Sequence, residues 1–133
     1  MVPASSRIDK YRGTMRLGQK RIDFVSLSVE CQRVCACDAG VLFAIDAASG
    51  RVLGDVPLSG VPDVIFLHPQ SGHLYVAIGD PGVIDVIDIG TMRGEEVVPT
   101  EAGAHTLALD RKRNKVYAFL PQSHRAAVFV DTA

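Results

Sequence analysis

PDVIFLHPQSGHLYVAIGDPGVIDVID, residues 62–88, decides the fold. HLYVAI and VIDVID alternate or run apolar with β-branched residues, a period of two rather than 3.6. PQSG (69–72) and GDPG (79–82) supply turn chemistry between the runs. The stretch therefore reads as three strands, a, b and c, joined by hairpins. No segment of the chain shows helical periodicity.

The same pattern stands on both sides of it. IDFVSLSVECQRVCAC (22–37), PDVIFLHPQSGHLYVA (62–77) and AHTLALDRKRNKVYAF (104–119) align. Asp23, Asp63 and His105 match, as do Leu27, Leu67 and Leu109; Cys35 stands where Tyr75 and Tyr117 stand. A c-strand run follows each: VLFAID (41–46), VIDVID (83–88) and AVFVD (127–131), closing on Asp46, Asp88 and Asp131. The repeat is about 42 residues.

A fourth strand, d, completes two of the units. RVLGDVPL (51–58) aligns with EEVVPTE (95–101), Val56 over Val98 and Pro57 over Pro99. Proline suits the outermost strand of a small sheet. Four-stranded antiparallel units of roughly 40–45 residues have the period of propeller blades. YRGTMRLGQK (11–20) also matches strand d, with Gly13 over Gly54, Met15 over Val56 and Leu17 over Leu58. The expected organisation is a lone fourth strand at 11–18, blade 1 at 22–58, blade 2 at 62–101, and blade 3 at 104–131 without its fourth strand. Residues 1–133 then form one all-β half-ring of antiparallel blades.

These units resemble the YVTN-type β-propeller repeat family. The resemblance is carried by YVAIGDPGVIDVID (75–88), DAASGRVLGDVPLSGVPDVIF (46–66) and AHTLALDRKRNKVYAF (104–119), and covers nearly all the chain beyond residue 10. The first unit departs from it, with CACD where the family favours an aromatic followed by small apolar residues. The resemblance implies a propeller but no single activity, because the fold hosts both binders and enzymes. Lactonase, gluconolactonase and streptogramin lyase propellers are more distantly similar, and no catalytic motif of theirs is legible here.

Propellers typically use about 4–8 blades. Three blades expose an apolar face and an unpaired edge at each end. Two copies meeting head to tail remove both, giving a six-bladed homodimeric ring closed by reciprocal strand exchange. Tyr11, Met15 and Leu17 of one copy would meet Val128 and Val130 of the other. The competing readings are a piece of a longer propeller and a nine-bladed trimer.

Composition bounds the chemistry. The 133 residues are 47% hydrophobic and 22% charged, with 14 basic and 15 acidic residues and a net charge of −1. That balance provides no electrostatic footprint for nucleic acid or an anionic membrane. The opening residues lack the apolar segment of an export signal, so a cytoplasmic protein is expected. Cys31, Cys35 and Cys37 lack the second ligand pair of a zinc motif and read as small buried hydrophobes. His68, His73 and His124 lie in or beside hairpin turns, where solvated loop histidines are expected.

The aligned Asp23, Asp63 and His105 begin the innermost strands and form the candidate site at the channel mouth. One reading is that they hydrogen-bond neighbouring loops and lock blade to blade. The other is that they hold a divalent cation that activates water. No other cofactor is evident. The expected function is a non-catalytic module that binds a small molecule or protein. The alternative is a metal-assisted lactonase-type hydrolase or lyase working in the channel.

Overall fold

The fold is that of a computed structural model, which describes residues 40–132 in full and, before them, the backbone of four strands. The described chain is all-β. Met15–Leu17 (β1) pairs antiparallel with Lys20–Ile22 (β2), so the strand expected to stand alone has a partner on one edge within its own chain. Phe24–Ser28 (β3), Arg33–Asp38 (β4), Val41–Asp46 (β5) and Val52–Pro57 (β6) form the first four-stranded sheet. Ile65–His68 (β7), His73–Ile78 (β8), Val83–Asp88 (β9) and Arg93–Pro99 (β10) form the second. Leu107–Asp110 (β11), Lys115–Leu120 (β12) and Arg125–Val130 (β13) form a three-stranded third. Every pairing is antiparallel and sequential, and the innermost strands β3, β7 and β11 lie side by side in that order.

The repeat extends to its irregularities. Strand β6 skips Leu53 between the pairs Ala44–Gly54 and Ile45–Val52, and β10 skips Glu95 between Ile87–Gly94 and Val86–Glu96. Both bulges bend the outer strand at the same place in its blade. The turns repeat as well. Asp46 Oδ2 accepts from the Ser49 amide and hydroxyl, and Asp88 Oδ1 accepts from the amides of Gly90 and Thr91. These bonds hold both carboxyls below the usual carboxylate range, the Ser49 hydroxyl contributing most at Asp46 and the Thr91 amide most at Asp88.

Because side chains alternate, each sheet offers one face to either neighbour. Leu42 and Val56 of the first sheet pack on Leu67, Leu74, Val76, Ile78 and Ile87 of the second. The opposite face of the second presents Tyr75, Ala77, Ile84 and Val86 to Leu107, Val116 and Ala118 of the third. Polar clamps join the layers at their rims. Asp85, 5% exposed, accepts from the Ser59 amide and hydroxyl, both at 2.7 Å. Glu101 accepts from the amides of Gln122 and Ser123 and from the Ser123 hydroxyl.

The third sheet corrects one alignment. In the b–c ladders Arg33 faces Asp46, His73 faces Asp88, and Lys115 faces Val130. Val130, and not Asp131, is therefore the counterpart of Asp46 and Asp88. Asp131 stands in the place of Ile89: the Asp131 amide donates to Asn114 O as the Ile89 amide donates to Gly72 O. A one-residue shift in a strand turns a side chain to the opposite face. Asp131 thus turns toward the second sheet, at a position that is apolar core one blade earlier.

Candidate functional site

Two places on the structure carry chemistry. The first is the expected channel mouth. Asp63 and His105 lie on the residues leading into β7 and β11 and line one open depression of about 690 Å3, with Gly79, Gly103 and Pro121 between and around them. Asp63 Oδ2 accepts from the Gly79 amide at 3.0 Å, which ties the start of the innermost strand to the b–c turn. Exposed His105 donates from Nδ1 to Gly103 O at 2.7 Å, the carbonyl fixing the tautomer and leaving the lone pair on Nε2. The two residues therefore share a depression, but their hydrogen bonds go to backbone and not to each other. Asp23, the third member of the aligned trio, lies outside the described residues. Among the described residues no three His, Cys, Asp or Glu side chains come together as a metal site.

The second place was not singled out by sequence. His73, Tyr75 and Asp131 meet in a groove of about 280 Å3 between the second and third sheets. His73 Nδ1 lies 2.7 Å from Asp131 Oδ2, and the Tyr75 hydroxyl donates to the same oxygen. The two rings stand edge to face, 6.5 Å apart at 89°. Ile84, Val86, Val98, Val116 and Phe129 floor the groove, while Glu95 and Glu96 stand on its rim. Burial, then the Asp131 hydrogen bond and charge, push the Tyr75 phenol well above its ordinary value.

The turn histidines need correction. His68 is 1% exposed, with Nε2 2.8 Å from Asn114 Oδ1 of the third sheet. His73 is 12% exposed and joined to Asp131. Both stitch blade 2 to blade 3, because the a–b hairpin that carries them is packed against the next sheet. The cysteine expectation rests on side chains outside the described residues.

Tyr75 offers a direct check on the second place. A phenol whose folded value is raised contributes stability fully present below the unfolded value of about 10, which fades as pH rises above it. Titration at 295 nm should show no ionisation of Tyr75 between pH 9 and 11 while the protein stays folded. Tyr75→Phe should therefore leave the absorbance change in that range as it is in the parent protein. A loss of one tyrosine's signal would mean that the phenol is not held by Asp131.

No family model matches the sequence, and no curated protein matches it. Solved structures do match. A chain of the mitotic checkpoint complex crystal structure superposes with a TM-score of 0.72 at 10% identity, over 85% of this chain and 37% of that one. A chain of Kuenenia stuttgartiensis hydrazine synthase superposes with a TM-score of 0.65 at 12% identity, over 82% of this chain and 35% of that one. At such identities the likeness establishes the fold alone, a β-propeller-like arrangement of blades. This chain spans little more than a third of either.

Proposed function

We propose that this chain is half of a propeller of the YVTN-type repeat class, used as a protein-interaction module and closed by a second copy of itself. The observation that carries the reading is the outward face of the third sheet. Phe119 is 52% exposed and Val128 51%, whereas their counterparts one blade earlier, Ala77 and Val86, are 0% and 8% exposed beneath the third sheet. By register, Tyr117 and Val128 pair on this face as Tyr75 and Val86 do. An apolar blade face of this kind is covered in a closed ring, and a second copy supplies the complementary blade. The checkpoint-complex neighbour comes from a multi-protein assembly, which is consistent with a propeller acting as a docking platform.

Sedimentation equilibrium is the test. The expected mass is twice 14.3 kDa, and Phe119→Asp should reduce it to 14.3 kDa. A parent protein that sediments as a single 14.3 kDa particle at all concentrations overturns the closure.

A second reading is favoured by the Nε2 lone pair of His105 in the depression it shares with Asp63. Doubled by a second copy, these groups offer donors for a channel cation and hence for metal-assisted hydrolysis of a lactone or ester. This reading expects stoichiometric divalent metal in the purified protein, lost in Asp63→Ala. Metal-free protein that leaves lactones intact removes it.

A further inference from the structure

We propose that the groove beside Asp131 is the seat of blade 3's fourth strand, and that residues 11–18 of a second copy occupy it. The inference rests on the closure proposed above and adds where and in what register that closure is made.

The seat has the two properties a strand needs. Among the described residues no strand pairs with the outer edge of β13, whose counterparts β5 and β9 are paired there with β6 and β10. An open edge presents main-chain donors and acceptors in a row. Beside that edge, the groove has an apolar floor at Val98, Val116 and Phe129 and a rim carrying Glu95, Glu96 and Asp131.

The sister blades fix the register. Strand β6 sets Leu42 opposite Val56, Phe43 opposite Asp55, Ala44 opposite Gly54 and Ile45 opposite Val52. Transferred to β13, Met15 stands opposite Ala126, Thr14 opposite Ala127, Gly13 opposite Val128 and Tyr11 opposite Phe129. Arg12 falls at the bulge position that Leu53 and Glu95 hold in the other blades.

Pleat then assigns the faces. Val56 packs forward onto the following blade, whereas Val97, one residue out of phase with Val98, lines a depression with Leu58 and Ser59 of the preceding blade. Met15 and Leu17 take the Val56 face. Tyr11, Thr14 and Arg16 take the other and look back toward blade 2. Arg16 falls opposite Arg125, as Pro57 falls opposite Val41, whereas Arg12, at the bulge between the Val128 and Phe129 rows, lies level with the acidic rim. YRGTMRLGQK carries Arg12, Arg16 and Lys20 and no acidic residue, so the segment and the rim are opposite in charge. Among the described residues β2 pairs with one edge of β1 and no strand pairs with the other, the edge proposed to meet β13 of the second copy.

The experiment uses the full chain carrying Met15→Cys and Ala126→Cys, mixed as equal parts 14N- and 15N-labelled protein and oxidised. The expected product is a 15–126 disulfide joining one light and one heavy peptide, identified by mass spectrometry. A dimer that never forms this link, or a link only between peptides of one label, overturns the seat while leaving dimerisation itself standing. A parent chain that is monomeric overturns both. Charge reversal reads the same contact without cysteine. Arg12→Glu should weaken dimerisation about tenfold, and adding Glu96→Arg should restore most of it. A dissociation constant unmoved by Arg12→Glu also counts against the seat.

Discussion

Leu74→Ala is expected to cost about 3 kcal/mol of unfolding free energy, within the range of about 2–5 for buried leucine truncations. Leu74 is 0% exposed and sits in the layer between the first two sheets, paired with Leu67 on one side and Ile87 on the other. The surrounding side chains come from two sheets whose hydrogen bonds hold their spacing, so the cavity cannot collapse fully. Domains are stable by only about 5–15 kcal/mol, and this single change therefore removes a large share. Urea unfolding at fixed protein concentration measures it, since association would otherwise shift the midpoint. Val52→Ala, on a side chain 46% exposed at the outer edge, should move the midpoint little. Equal effects from the two would mean that the layer between blades 1 and 2 is not the core of the protein.

That layer was legible because alternation and turn residues are local signals. HLYVAI and VIDVID read as adjacent strands from their own composition, and the three-fold recurrence placed them in blades without knowledge of any contact. Contacts between blades were not legible in this way. Asp63 stood in an aligned column that one reading had locking blade to blade, but its bond to the Gly79 amide stays within blade 2. Asp85 gave no such sign, since its Ser59 partner lies 26 residues away in the connection that leaves the preceding blade. Asp131 was assigned to a column by its chemical type, and the strand register moved it by one residue. That single step turns a turn-capping carboxylate into one that faces His73 and Tyr75 across a blade interface. The signal that could have found it was length: AVFVD is one residue shorter than VLFAID and VIDVID, so its Asp cannot be matched from the end of the run alone. His68 and His73 were read as solvated because they flank a turn. Their burial comes from the neighbouring sheet, which no local pattern reports.

Gly82→Ala should destabilise the protein by about 3 kcal/mol, of which about 1–2 is the conformational penalty of an L-residue in the left-handed region. Gly82 has φ of +101°, and a Cβ there would lie 2.4 Å from the Glu101 carbonyl carbon and 2.5 Å from the Ala102 nitrogen. Both are backbone atoms, so the connection between blades 2 and 3 must move. The Thr100 amide donates to Gly82 O at 2.9 Å, and Glu101 holds the Gln122 and Ser123 amides of blade 3. Displacing this connection loosens the joint on which the third sheet hangs, and with it the face and groove proposed to meet a second copy. Gly72→Ala separates the two contributions. Gly72 has φ of +75° with nothing within 4 Å of the added carbon, so only the conformational penalty applies. Urea unfolding of the two variants should differ by more than 1 kcal/mol, and the Gly82 variant alone should weaken self-association. If both lose the same stability, the connection has room to yield, and the tight joint between blades 2 and 3 is not what holds the third sheet in place.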